Sequence, residues 1–259
     1  MRLPAVLAAV LVTLLLAGNT AAAHASAYPI RDRVLTVNKL YRSGKLQPTQ
    51  CPERAIEPHD VALAKRYLTA VLNCLNASWG AHFKRAGLPF AKARIGFITK
   101  PRRYCKAAWD DAAARYCASE KRFLVLLDDD LLEDTADLFL FRLAAHEYGH
   151  HLQNITGMYR AFAWHPYKGK SEMNEQLRRN ELQAECLGGV FIGSVWDSID
   201  RITDDWRELL DINRRSGDEY HKAHDHGKGR NIAAWLDKGF RASSPAACNT
   251  WVSPSSKVS

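Results

Sequence analysis

A pentapeptide near the middle of the chain constrains the fold most, because its polar side chains converge only on a helix. Residues 146–150 read His-Glu-Tyr-Gly-His, an H-E-x-x-H pattern. In an α-helix, residues four positions apart lie one turn apart and only about 40° apart around the axis. Glu147 is rotated by about 100° from His146 and lies off that face. The sequence therefore predicts two adjacent imidazoles with a carboxylate beside them.

This arrangement is typical of a zinc site. Two imidazole nitrogens one turn apart can bind the same Zn²⁺, and a carboxylate off the ligand face can take a proton from zinc-bound water. The apolar residues Leu138 and Phe141 precede the motif and favour a packed helix. We predict His146 and His150 as ligands of one zinc ion and Glu147 as the general base. Two surface histidines on an amphipathic helix are the alternative.

The third ligand must come from elsewhere in the chain. The metzincin pattern requires Gly at position 153 and His at position 156, and this chain has Gln153 and Thr156, which excludes that class. Glu181 and Glu185 are four residues apart in a second predicted helix, so they share one face. In glutamate zincins the first carboxylate of such a pair binds zinc and the second bonds a ligand histidine. We predict Glu181 as ligand and Glu185 as the partner of His146; a solvated acidic face is the alternative.

Apolar periodicity predicts a mainly helical α+β fold with a small sheet. The predicted helices are 60–79, 135–157, 171–196, 204–214 and 230–240, and the predicted strands are 94–99 and 122–127. The segments 100–120 and 158–170 read as loops. No repeat or linker interrupts residues 50 to 250, which favours one domain at 58–252, after an extended lead-in at 28–57 and before a disordered tail at 253–259.

The first residues have the composition of a targeting segment. Arg2 precedes an apolar run at 4–17, and Ala25-Ser26-Ala27 fits the small-x-small rule for signal peptidase. We predict a signal peptide at 1–27, cleaved near Ala27, and a secreted protein. An uncleaved segment that anchors the protein in the membrane is the alternative, and is the only membrane contact that the sequence predicts.

Export changes the expectation for the six cysteines, because an oxidising compartment favours disulfides. Six cysteines allow 15 pairings. We predict the two local pairs and one pair that ties the tail to the middle of the chain: Cys51–Cys74, Cys105–Cys117 and Cys186–Cys248. Free, buried cysteines are the alternative.

The charge distribution excludes one class of partner. The chain has 36 Lys and Arg against 28 Asp and Glu, a net charge of +8. These charges are spread along the sequence instead of forming basic blocks. We therefore predict no nucleic-acid partner.

The two central motifs resemble those of a known bacterial family. HEYGHHLQ at 146–153, followed by ELQAEC at 181–186, is similar to the strings HEYGHHVQ and ELQADC of the "putative neutral zinc metallopeptidase" family. Shorter matches occur at 115–117, at 226–227 and between 235 and 251, so the resemblance covers roughly residues 90 to 251. Glu185 stands where the family usually has Asp, which shifts the carboxylate by about 1.5 Å.

The resemblance implies a zincin-like, gluzincin-type domain with one Zn²⁺ that hydrolyses peptide bonds in a peptide or protein substrate. It also implies His226 as the residue that stabilises the oxyanion, with Tyr159 as a second candidate. A solvated loop is the other interpretation of His221, His224 and His226. Two alternative functions remain: a zinc-stabilised binding protein without activity, and a hydrolase of a non-peptide or cell-wall amide. An intact Glu147 argues against the first, because a structural site needs no base.

Overall fold

The computed structural model describes residues 26–133, 137–220 and 224–259. The predicted signal peptide, apart from its last two residues, and His221 lie outside these residues. The helices are α1 (Arg33–Thr36), α2 (Val61–Arg85), α3 (Asp129–Glu133), α4 (Asp137–Ile155), α5 (Met158–Ala163), α6 (Lys170–Val195), α7 (Thr203–Arg214) and α8 (Gly229–Ala242). The strands are β1 (Arg94–Ile98), β2 (Ala114–Cys117) and β3 (Arg122–Leu126). The mainly helical α+β class with a small sheet is therefore confirmed.

The sheet has the order β1-β3-β2, with β3 in the centre. β1 pairs with β3 in parallel and β2 pairs with β3 in antiparallel. The strand β2 lies in the segment that the sequence predicts as a loop, so that prediction is wrong at 114–117. Four residues between polar stretches give too little periodicity to detect, and β2 acquires its strand conformation from its hydrogen bonds to β3.

The helical segments differ from the predictions at four further places. α1 lies in the lead-in predicted as extended, and α3 precedes the helix predicted to begin at 135. α2 continues to Arg85, six residues past its predicted end, and α5 lies within the segment predicted as a loop. Gly157 ends α4 in the left-handed region at φ 80°, and the next residue already begins α5. The glycine changes the direction of the chain, but a second helix follows at once. A glycine in the sequence does not by itself show whether a loop or another helix comes after it.

Both ends of the described part of the chain, the lead-in at 28–57 and the tail at 253–259, are packed against the domain. In the lead-in, Leu35 and Leu40 are fully buried, so this segment contributes to the core. The tail differs from the expectation of disorder: Val258 is fully buried, and the indole of Trp235 donates a hydrogen bond of 2.8 Å to the Lys257 carbonyl. A single apolar residue among serines was too weak a signal to predict this docking.

All six cysteines are paired as predicted. The Cα–Cα distances are 5.6 Å for Cys51–Cys74, 5.5 Å for Cys105–Cys117 and 5.5 Å for Cys186–Cys248. The third pair spans 62 residues and joins α6 to the C-terminal segment. By loop-closure entropy, a cross-link of that span stabilises the fold by about 4 kcal/mol.

None of the helices in these described ranges is both long enough and apolar enough to cross a bilayer.

A close backbone contact in the core joins α4 to α6. A Cβ atom added at Gly149 would lie 2.5 Å from the Ala184 carbonyl oxygen and 2.7 Å from the Ala184 Cα. In the same contact, a Cβ added at Gly188 on α6 would lie 3.2 Å from the Ala145 carbonyl carbon on α4. Backbone atoms cannot move aside as a flexible side chain can. Glycine therefore sets the distance between these two helices.

We expect Gly149→Ala to lower the free energy of unfolding by about 1–2 kcal/mol. Overpacking against backbone costs about 1–3 kcal/mol, which exceeds the gain of up to about 1 kcal/mol from replacing a helical glycine. Chemical denaturation measures the change. Gly169→Ala is the matched control, because nothing lies within 4 Å of its added Cβ. Equal stability of both variants and the wild-type chain would contradict the packing argument.

Candidate metal centre

The contact between α4 and α6 brings three potential metal ligands together. One ligand atom from each of His146, His150 and Glu181 lies within 4.8 Å of the other two. Glu181 Oε2 is 3.0 Å from His150 Nε2 and 3.4 Å from His146 Nε2. The helical spacing of the two histidines and the position of α6 thus produce the cluster that the sequence predicts.

The outer nitrogens of both imidazoles already have acceptors. His146 Nδ1 lies 2.8 Å from Glu185 Oε2, and His150 Nδ1 lies 2.9 Å from Gln153 Oε1. A carboxylate and an amide oxygen can only accept, so each Nδ1 carries a proton. When both imidazoles are neutral, each Nε2 therefore carries no proton, and its lone pair faces the Glu181 carboxylate. Three electron-pair donors that converge in this way require a cation or an added proton between them.

The donor set fits zinc. Two imidazole nitrogens and one carboxylate oxygen are the protein ligands of many catalytic zinc sites, which keep a fourth position for water or substrate. Bonds of about 2.0–2.1 Å place tetrahedral ligands roughly 3.3 Å apart. The two distances from Glu181 Oε2, 3.0 and 3.4 Å, lie close to this value.

The buried charges of the cluster are strongly coupled. Burial opposes a charge on His150, but the Glu181 carboxylate outweighs it and raises the pKa of His150 to about 9. For Glu181, burial favours the neutral form, yet His150 and His146 hold the pKa well below its usual range. Near neutral pH a proton on His150 therefore occupies the place that a metal ion would take.

Glu147 lies beside the cluster with an unpaired oxygen. Its side chain is 5% exposed, and its Oε2 has no hydrogen-bond partner. Burial raises the pKa of the Glu147 carboxyl. An orphaned buried acceptor is costly, so such an atom usually has a ligand or an ordered water in the working protein. Its carboxylate interacts electrostatically with His150, His146 and Glu181, so it lies close to the three donors.

Glu185 makes the contact predicted for it and has a second partner that the sequence analysis missed. Arg142 donates through Nε to Glu185 Oε1 at 2.8 Å and through a terminal nitrogen to Oε2. Burial works against ionisation of Glu185, but Arg142 and His146 lower its pKa to about 2. Arg142 lies one turn before His146 on α4, so the i, i+4 spacing was the available signal. The guanidinium keeps Glu185 ionised and oriented towards the imidazole.

Gln153 is a further residue that the sequence analysis did not assign. Besides its contact with His150, its amide nitrogen donates to the Asn180 carbonyl at 2.7 Å and to Gln183 Oε1 at 3.1 Å. These two bonds attach the end of α4 to α6 and fix the orientation of the Gln153 amide. Gln153 therefore holds His150 much as Glu185 holds His146.

His226 lies at the edge of the cluster. Its Nε2 is 3.7 Å from Glu181 Oε2, and its side chain is 53% exposed. Its Nδ1 lies 2.6 Å from Asp225 Oδ1, and its backbone N–H donates to Asp218 Oδ1 at 3.0 Å. Burial opposes charge on this imidazole, while Asp225 and Glu181 raise its pKa to about 9.

The candidates His224 and Tyr159, and His151 beside the motif, do not join the cluster. His151 is fully buried and bonds the Tyr116 hydroxyl at 2.9 Å and the Ala91 carbonyl at 2.7 Å, so it belongs to the packing between α4 and the sheet region. His224 is exposed. Tyr159 packs edge-on against Phe162 in α5, with ring centres 6.5 Å apart.

Comparison with known proteins gives relatives but no solved structure that matches. Two similar chains are the proteins called "Uncharacterized protein YpfJ" from Escherichia coli strain K12 and from Escherichia coli O6:H1 strain CFT073. Each is 26% identical over 226 residues, which cover 81% of this chain and 78% of the relative. No solved structure matches the chain significantly.

The family model described as "Putative neutral zinc metallopeptidase" matches residues 27–251, which include every member of the cluster. This range begins well before the segment of roughly 90–251 on which the resemblance rested. Zinc is therefore the metal that the family implies for the His146, His150 and Glu181 cluster. The chain belongs to the neutral zinc metallopeptidase family.

Proposed function

We propose that this chain is a zinc-dependent hydrolase of peptide bonds. The observation that carries the proposal is the convergence of three electron-pair donors beside the unpaired Oε2 of Glu147. A structural zinc site has four protein ligands and needs no base, whereas a catalytic site has three and a proton acceptor nearby. The cluster has the composition of a catalytic site, with three potential ligands and a nearby carboxylate that can accept a proton.

His146, His150 and Glu181 would hold the metal, and Glu147 would accept the proton. When bound, zinc polarises a substrate carbonyl and makes water more acidic. Glu147 is fixed on the turn of α4 that carries His146, so its carboxylate stays close to the attacking water. Burial raises its pKa, which favours proton uptake, and the protonated carboxyl can later give that proton to the leaving amine.

His226 is proposed to stabilise the oxyanion that develops on the substrate carbonyl. Its Nε2 faces the Glu181 side of the cluster, and its raised pKa favours the charged form, which can donate a hydrogen bond. The half-exposed side chain lets substrate reach this nitrogen. We expect His226→Ala to retain zinc with reduced activity.

The site is also proposed to act outside the cytoplasm. Three disulfides support export, because such bonds persist in oxidising compartments and are rare in the cytosol. The apolar run at residues 4–17 supplies the expected targeting segment. A peptide or protein in that compartment is the proposed substrate.

We expect Glu147→Gln to abolish hydrolysis and to retain zinc. The amide cannot accept a proton, and loss of a general base costs about 10²–10⁴-fold in rate. Because Glu147 lies off the ligand face, one zinc per chain should remain. A set of fluorogenic peptides gives the rate, and elemental analysis gives the metal content.

Two variants make this experiment decisive. Glu181→Ala should lose zinc and activity together, and Glu208→Gln, an exposed carboxylate on α7, should change neither. Wild-type activity in Glu147→Gln would exclude Glu147 as the base. Full zinc content without hydrolysis of any peptide by the wild-type chain would favour the binding protein or the hydrolase of another amide.

We expect Arg142→Met to lower the zinc affinity by about 10–100-fold, the usual cost of losing a group that orients a ligand. The variant leaves the buried Glu185 carboxylate without its cation, so its stability must be measured as well. Arg142→Lys keeps the charge and loses the paired geometry, and should be intermediate. Competition with a chromogenic chelator measures the affinity. An unchanged affinity in a folded Arg142→Met protein would contradict the positioning role.

Zinc affinity should rise with pH up to about 9. In the metal-free protein His150 has a pKa of about 9 and is protonated at neutral pH, so zinc must displace that proton. The apparent affinity should therefore rise roughly tenfold for each pH unit below about 9 and then level off. Calorimetry in buffers of different ionisation enthalpy counts the protons released. Binding without proton release at neutral pH would contradict the raised pKa.

A further inference from the structure

A surface formed by α1, α5 and the segment after α5 exposes large apolar side chains. Trp164 is 83% exposed, Tyr167 is 55% exposed and Val34 is 44% exposed. Val34 and Trp164 line the same shallow depression. Scattered exposed apolar residues are normal, but a tryptophan with a neighbouring tyrosine and valine at one place marks an interaction surface.

Cations surround these apolar side chains. Arg160, Lys168 and Lys170 are all exposed. The nearby acids are already used by backbone donors: Asp32 accepts from the Val34 N–H at 2.7 Å, and Glu172 accepts from the Lys168 N–H at 2.8 Å. We call the following six residues the aromatic-basic face: Val34, Arg160, Trp164, Tyr167, Lys168 and Lys170.

The aromatic side chains are held outward by ordered structure. The Pro166 carbonyl accepts a hydrogen bond of 2.9 Å from the buried Gln176 amide on α6. Together with the Glu172 contact, this bond fixes the segment between Trp164 and Lys170 on the start of α6. Because the backbone that carries the two rings is already fixed, binding loses little conformational entropy of the backbone, which favours docking without rearrangement.

The chain enters the described fold at the same part of α6. Ser26 Oγ lies 3.4 Å from Glu175 Oε1 and 3.0 Å from a terminal nitrogen of Arg179. Glu175 precedes Gln176, which holds the Pro166 segment. The sequence before Ser26 contains the apolar run at 4–17. The residues at the predicted cleavage point therefore contact α6 next to the residue that holds the Pro166 segment.

We propose that the aromatic-basic face docks on an anionic lipid surface. Tryptophan and tyrosine have an apolar body and a polar edge, which suits the boundary between headgroups and acyl chains. Lysine and arginine beside them attract acidic headgroups, and the net charge of +8 adds to that attraction. Docking of this kind does not depend on the metal site.

The test is partition of the mature chain, which begins at Tyr28 after the predicted cleavage, onto vesicles of phosphatidylcholine, with and without phosphatidylglycerol. Two variant sets are compared with the wild-type chain: Trp164→Ser with Tyr167→Ser, and Arg160→Gln with Lys168→Gln and Lys170→Gln. Each cation contributes about fivefold near an acidic surface, so the second set should bind roughly 100-fold more weakly. Binding should also fall as salt is added. All forms lack the apolar run at 4–17, so a difference reports on the substituted face.

The controls change equivalent residues elsewhere. They are Ile202→Ser, an apolar residue that is 66% exposed, and the exposed cations Lys84→Gln, Arg85→Gln and Arg102→Gln. Losses confined to the two face variants would support the proposal. Equal losses in the control variants would reduce the effect to net charge and overturn it. Equal binding to vesicles with and without phosphatidylglycerol would also overturn the proposal. Loss of vesicle binding in the presence of a soluble oligosaccharide would overturn it as well, and would indicate that Trp164 binds a carbohydrate.

Discussion

The backbone contact between α4 and α6 determines the rest of the site. Gly149 lies between His146 and His150 in the motif, and it touches Ala184, the residue before Glu185. The ligands therefore lie next to the point where the two helices approach most closely. A side chain at this position would lie 2.5 Å from the Ala184 carbonyl oxygen, so the two helices and the donors they carry would have to move apart. The distances of 3.0 and 3.4 Å around Glu181 Oε2 follow from main-chain packing.

Charge imposes a second constraint on the same region. Glu147, Glu181 and Glu185 offer three carboxylates, while Arg142 offers one guanidinium, which is 2.8 Å from Glu185 through its Nε. With neutral imidazoles, this buried group carries two excess negative charges, the charge that one divalent cation balances. Protons can balance it as well: burial opposes charge on His150, but Glu181 raises the pKa of that imidazole to about 9, and burial raises the pKa of the Glu147 carboxyl. Metal and protons therefore compete for one compensating role.

The sequence predicted those parts of the site that depend on local spacing. Glu181 and Glu185 share a face because of helical geometry, and the cysteine pairing followed from loop length and export. The sequence analysis missed Arg142: its spacing from His146 shows that the two side chains share a face of α4, but its contact with Glu185 depends on where α6 packs. β2 and the docked tail escaped for a related reason: their conformation comes from contacts with distant residues, such as the bond from Trp235 to the Lys257 carbonyl.

The C-terminal segment explains why α6 can hold its carboxylates in place before any metal binds. Cys248 is bonded to Cys186, the residue after Glu185, and the Cys248 carbonyl accepts from the Gln183 amide at 3.1 Å. Arg179, fully buried, donates to the Thr250 carbonyl, while the Thr250 hydroxyl donates back to the Arg179 carbonyl at 2.7 Å. α6 is thus fixed by the C-terminal segment on one side and by α4 on another. Because neither attachment involves a ligand atom, the donor positions are set by the fold, and binding a metal requires loss of protons more than rearrangement of the chain.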